Sequence, residues 1–174
     1  MNSLDYRRDT RTVEEFKKNI QEKTSLERKL LNVWIEEMNF RGNKVEVEDY
    51  GIDNSGAFVP LSSNRPDFEL HINGKSYLYE VKQNTYSHRN SFKIYDLEQY
   101  IKMDARILLF YGINPDGSIN KFTRWAIIQP AAMQEMLKLP KIKTDKAWGF
   151  KEIVVIKEKD FERYFKSYEF NYVR

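Results

Sequence analysis

Asn73-Gly74 sits between two segments of alternating apolar and polar residues. Few dipeptides tolerate so well the positive φ angles of a type I′ hairpin turn. With a two-residue turn, Ile72 pairs with Lys75, and counting outward sets Asp67 directly across from Glu80. Strand side chains alternate between faces, so Asp67, Glu69 and His71 share a face with Ser76, Leu78, Glu80 and Lys82. The opposite face carries Phe68, Leu70, Ile72, Tyr77, Tyr79 and Val81, and reads as a core face.

Two acids opposed in a sheet repel each other unless something positive lies between them. A divalent cation meets that need, because carboxylate oxygens suit hard ions such as Mg²⁺, which binds through one or two carboxylates and keeps several waters. Such an ion lowers the pKa of bound water and neutralises charge on a phosphate under attack. Lys82, two residues past Glu80 on the same face, is placed to hold the attacking water or the pentavalent phosphorus. The chemistry indicated is hydrolysis of a phosphodiester.

Pro66-Asp67, twelve residues, then Glu80-Val81-Lys82 resembles the motif of the PD-(D/E)XK nuclease superfamily. Type II restriction enzymes, Holliday junction resolvases, phage endonucleases and RecB-type exonucleases belong to it. The resemblance implies Asp67 and Glu80 as metal ligands, the Val81 backbone carbonyl as a further ligand, and Lys82 as the catalytic lysine. It also implies Mg²⁺, with Mn²⁺ able to substitute. The competing account is plain: Pro-Asp commonly opens turns, and Glu-x-Lys suits a solvated strand edge in a chain with 32% charged residues.

Glu27 carries two readings. At i+3, i+4 and i+7 it is followed by Leu30, Leu31 and Trp34, so it borders the helix face that should pack on the sheet. In many relatives in the superfamily a glutamate of the first helix joins the site. Thr24-Ser25-Leu26-Glu27 also fits a capping box, in which Glu27 returns a hydrogen bond to the helix start. Glu36 and Glu37 read as solvated.

Gln83 continues the strand past Lys82, where its amide is placed to reach a base edge or a phosphate. Arg89, in the polar loop Asn84-Thr85-Tyr86-Ser87-His88-Arg89-Asn90, and Gln99, on the following helix, are the other nucleic-acid contact candidates. The RecB-type pattern expects a tyrosine four residues after the glutamine, where this chain has Met103, so an exonuclease assignment is weakened. Tyr95 and Tyr100 read as packing residues with exposed hydroxyls. His71 stands about 13 Å along the strand from Asp67 at roughly 3.3 Å per residue, too far to share an ion, and Glu69 reads as an ordinary polar strand residue. Lys138, Lys141, Lys143 and Lys146 form a basic stretch that suits either phosphates or solvent.

Composition limits the alternatives. With no cysteine and two histidines, the chain has no disulfide, no thiolate site and no cysteine nucleophile. A net charge of +3 fits nucleic-acid binding without demanding it. No apolar run approaches the roughly 20 residues of a membrane span. The amino terminus lacks an apolar signal core, so a cytoplasmic protein is expected.

The 174 residues suit one domain spanning 1–174. The pattern predicts helices over 12–20 and 25–38, a strand over 44–50, an irregular loop over 51–65 able to close over substrate, and the hairpin over 66–83. A helix over 91–103, strands over 107–113 and 121–128, a helix opened by Pro130, a strand over 150–156 and a short helix over 159–167 complete it. This α/β order matches the αβββαβ restriction endonuclease-like core that the resemblance implies, a mixed sheet between helices, with strand and helix additions at the carboxyl end. The expectation is a Mg²⁺-dependent DNA endonuclease acting on double-stranded or branched DNA as a homodimer. A Holliday junction resolvase or other structure-specific nuclease, and a non-catalytic nucleic-acid-binding module on the same fold, are the alternatives.

Overall fold

The computed structural model describes residues 12–49, 66–145 and 151–171. Helix α1, Val13–Phe40, is followed by strands β1, Val45–Asp49, β2, Phe68–Ile72, and β3, Lys75–Asn84. After β4, Arg89–Lys93, and α2, Ile94–Lys102, come β5, Arg106–Tyr111, β6, Arg124–Ile128, and α3, Pro130–Met136. The carboxyl part adds β7, Ile142–Lys143, β8, Glu152–Lys157, a 3₁₀ turn, α4, Phe161–Tyr164, and β9, Ser167–Glu169. The protein is thus α/β. Its mixed six-stranded sheet has the order β1-β2-β3-β5-β6-β9, and a second sheet has the order β4-β8-β7.

The hairpin forms in the register its turn dictates. Asn73 and Gly74 have φ of 51° and 81°, and Ile72 pairs with Lys75 and Phe68 with Tyr79. One step further out, Asp67 faces Glu80. Strands β3 and β5 are parallel, Glu80 beside Ile107 and Lys82 beside Leu109, and the chain between them crosses over through β4 and α2. Parallel strands covered on both faces become continuously apolar, and Ile107 through Tyr111 are all buried accordingly.

Each face of the main sheet holds its own core. Leu30, Leu31 and Trp34 of α1 pack on Leu70, Tyr79, Val81, Leu108 and Phe110. Across the sheet, Leu97 and Tyr100 of α2, Met133 of α3 and Val154 of β8 pack on Ile107, Leu109 and Ile128. Leu78 joins this second core. The face that carries Glu80 and Lys82 is therefore a covered face, with its polar residues at one end.

Two of the expected elements change. The predicted helices over 12–20 and 25–38 are one helix: the capping box is made by Thr12 and Glu15, whose side chains take each other's backbone N–H at 3.1 and 2.7 Å. Thr24 and Ser25 lie inside it, because burial of the Leu30, Leu31 and Trp34 face outweighs their weak preference for caps. The predicted start of the next helix is instead β4, whose residues alternate exposed and buried and pair with β8 from Arg89–Lys157 to Lys93–Ile153. Its partner lies over sixty residues away, and so no local pattern announces it. Lys146 and the loop over 51–65 lie outside the described residues.

Glu37, expected to be solvated, is completely buried, whereas Glu36 is exposed. Its carboxylate accepts from Arg41 Nε at 2.6 Å and from the Asn171 backbone N–H at 2.9 Å. The Arg41 guanidinium also lies over the rings of Trp125 and Tyr168, which stack on each other at 4.5 Å. One acid thus joins the end of α1 to the β6–β9 edge. Glu37→Ala leaves a cation and a backbone donor without their acceptor, and should lower stability by about 3 kcal/mol in urea denaturation. A loss below about 1 kcal/mol, the scale of a surface pair, would show that Glu37 carries no such structural role.

Candidate active site

The cluster gathers where β2 begins and β3 approaches its end. Asp67 stands one residue before β2, and its Oδ2 accepts the Val81 backbone N–H at 3.2 Å. This bond closes the hairpin beyond its last paired residues and turns the Asp67 carboxylate toward β3. Glu80 is buried, 8% exposed, and its Oε1 accepts from Lys82 Nζ at 2.7 Å. The Lys82 ammonium lies 5.7 Å from the centroid of the Tyr100 ring.

Glu27 belongs to the same cluster. The Thr12–Glu15 cap leaves it in the middle of α1, 7% exposed, with Lys23 Nζ at 3.5 Å. Gly117 explains part of this placement: its φ of 80° favours glycine, and an added Cβ would collide with the Leu26 side chain, so the turn after β5 seats directly against the residue before Glu27. The carboxylate of Glu27 acts electrostatically on Asp67, and is itself acted on by Lys82 and Glu80. The structure brings Glu27, Asp67, Glu80 and Lys82 within electrostatic reach of one another.

Burial decides the charges. Asp67 is pushed from the ordinary 3.8 up to about 7, first by desolvation and then by the negative charges of Glu80 and Glu27, against the Val81 N–H and Lys82. Burial also raises Glu27, with Lys23 and Lys82 opposing. For Lys82, burial works against the charged form, but Glu80 and Tyr100 outweigh it and hold its pKa above the ordinary lysine value. The ammonium therefore stays protonated at neutral pH. It can hold an anion and cannot act there as a general base.

Tyr100 was expected to expose its hydroxyl; instead the residue is 5% exposed, and it hydrogen-bonds Glu80. Burial and Glu80 both raise its pKa. Lys23 and Asp96 were not singled out by the sequence. Each sits four residues from a member of the cluster on one helix, Lys23 before Glu27 and Asp96 before Tyr100, and that spacing was the only available signal.

The other candidates separate. Gln83 and Arg89 line a cavity that runs from Lys82, whereas the α2 residues in its wall are Asp96, Leu97 and Tyr100, leaving Gln99 outside it. Lys138 pairs with Glu135 at 2.6 Å, and Lys141 and Lys143 are exposed. Val81 has its side chain in the α1 core. His71 bonds Ser76 at 2.6 Å, and its ligating atom lies within 4.8 Å of those of Glu48 and Glu69. Glu69 thus groups with His71 on the β1–β2 surface rather than with Asp67. No protein-family model matches this chain, and no curated protein is significantly similar to it.

The buried acids generate a prediction for the protein without metal. Asp67 holds its proton to about pH 7 when folded but releases it near 3.8 when unfolded, so the folded state binds the extra proton between those limits. Its contribution to stability falls as pH rises through that interval, by up to about 1.4 kcal/mol per pH unit. In EDTA, Asp67→Asn should be more stable than the wild type at pH 8 by urea denaturation, and its advantage should shrink steadily as pH falls toward the unfolded-state value of 3.8. A variant no more stable at pH 8 would show that Asp67 ionises without cost.

Proposed function

We propose that the protein is a Mg²⁺- or Mn²⁺-dependent DNA endonuclease with a restriction endonuclease-like core of the PD-(D/E)XK kind. The observation that carries the reading is that three acids, Glu27, Asp67 and Glu80, lie within electrostatic reach of one lysine at the end of a hairpin, with Glu80 in direct contact with it. The element order α1-β1-β2-β3, then α2 and β5, supports the same core, with β4 inserted before α2.

The acids fit a hard divalent ion. Burial and mutual repulsion raise Asp67 and Glu27, which is the penalty a cation among them removes. An all-oxygen donor set also favours Mg²⁺ or Mn²⁺ over zinc. Asp67, Glu80 and the Val81 carbonyl would hold the ion, with Glu27 reached through water. When bound it would supply Lewis acidity and a more acidic water.

The protein's own groups account for the rest. Lys82 exchanges its contact with Glu80 for the scissile phosphate or the attacking hydroxide, whose negative charge replaces that of Glu80 in holding the ammonium. Tyr100, packed beneath Lys82 and bonded to Glu80, holds both side chains in their rotamers. Attack by water forms one P–O bond as the bond to the leaving oxygen breaks, and the leaving oxygen takes up a proton. Negative charge grows on the phosphate as it happens, next to the Lys82 ammonium. One such site cuts one strand, so cleavage of both strands calls for a homodimer.

Asp67→Ala, Glu80→Ala and Lys82→Ala should each lower cleavage of circular DNA in Mg²⁺ by at least about a hundredfold, with the circular dichroism spectrum unchanged. Glu27→Gln should lower it less. Full activity in any of the first three variants, or equal cleavage in EDTA, would refute the assignment.

A further inference from the structure

A cavity of about 660 Å³ opens beside Lys82, between β3 and β5 of the main sheet and the second sheet β4-β8-β7. Leu97, Ile107, Leu109 and Val155 give it apolar walls, and Lys82, Arg89 and Lys93 bring positive charge to it. Burial, together with the charges of Lys151 and Lys82, lowers the Lys93 pKa, opposed by Asp96. With Lys23 the wall carries four cations against two acids, Asp96 and Asp145, so an anion entering here meets a net positive charge. Tyr86, 52% exposed, presents its ring at the same wall, with the Arg89 guanidinium 5.0 Å from the centroid.

Asn90 anchors the wall of the cavity. It is 2% exposed and lies in the cavity wall. The Asn84 side chain beside it has a settled orientation, since its Oδ1 accepts the Tyr86 N–H at 3.0 Å and its Nδ2 donates to the Arg89 carbonyl at 2.7 Å. Asn84 Nδ2 therefore faces Asn90 as a donor, and the Asn90 atom it meets at 2.9 Å must be the acceptor, Oδ1. The Asn90 amide donor is left with no hydrogen-bond partner among the described residues. The Asn84–Asn90 contact thus ties β3 to β4 behind the cavity wall.

We infer that this cavity takes a single unpaired nucleotide of the substrate strand, adjoining the phosphate held at Lys82. The base lies between the apolar walls, its flanking phosphates meet Arg89 and Lys93, and Tyr86 provides a stacking surface at the mouth. The volume suits one nucleotide and falls within the range of small-ligand sites, whereas a double helix is too wide to enter. The substrate class that follows is DNA with unpaired nucleotides next to the cleavage point, as in single strands, gaps and branches, in preference to continuous duplex. This rests on the nuclease reading for its orientation, but binding in the cavity requires no metal.

The test uses the full chain in EDTA, with fluorescence anisotropy on a fluorescein-labelled oligothymidylate, a blunt duplex, and the same duplex carrying a gap. The single strand and the gapped duplex should bind at least about tenfold more tightly than the blunt duplex at equal salt. Val155→Trp, which fills the cavity, should abolish that preference. Ile142 lines the cavity and is 48% exposed, so Ile142→Glu places an acid at its mouth without disturbing a core and should also abolish it. Equal affinity for all three DNAs, or a preference that survives in folded Ile142→Glu, overturns the inference. A separate Mn²⁺ thermal-shift titration keeps the two readings apart. A chain that binds Mn²⁺ without strand preference loses the subsite and keeps the proposed activity. One with strand preference but neither metal shift nor cleavage keeps the subsite and loses the nuclease.

Discussion

The two positive φ angles at Asn73 and Gly74 are the constraint on which the candidate site depends. They allow a two-residue turn, and a two-residue turn allows one register, in which Asp67 falls opposite Glu80. A slip of one residue would send every side chain of β2 to the other face. Asp67 would then point into the core made with α1, and Phe68 and Leu70 would leave it. The same burial that favours this register in the core therefore also enforces the position of the acids.

Those acids are held at an electrostatic cost. Glu27, Asp67 and Glu80 converge in a partly desolvated corner with Lys82 tied to Glu80, and the strain appears as raised pKa values for Asp67 and Glu27. A cluster kept only for stability would be better replaced by apolar groups. Glu37 is the instructive contrast. It is also buried, but Arg41 and the Asn171 N–H occupy its oxygens, so its position serves the joining of elements. The two kinds of buried acid differ in how fully the protein itself supplies positive partners.

Much of the hairpin was legible because its information is local. Turn chemistry, alternation and the Glu80-Val81-Lys82 spacing all lie within seventeen residues. The long reach of α1 was not legible, because Thr24-Ser25-Leu26-Glu27 imitates a cap, and only packing of Leu30, Leu31 and Trp34 on the sheet decides against it. That difference bears on the site, since it frees Glu27 from the backbone and leaves its carboxylate to face Asp67. Strand β4 was misread for a similar reason: Arg89-Asn90-Ser91-Phe92-Lys93 is short and polar, and it becomes a strand through pairing with β8.

The sequence by itself determined the turn, the register that follows from it, and the kinds of group that meet at the hairpin's end, since each depends on backbone conformations and spacings of near neighbours. Only the tertiary structure decided that Glu27 reaches them, that Tyr100 is buried beneath Lys82, and that β4 and β8 wall a cavity beside the lysine. Those outcomes depend on burial and on pairing between segments far apart in the chain, and desolvation, which sets the charge of Asp67, exists only once the layers have closed around it.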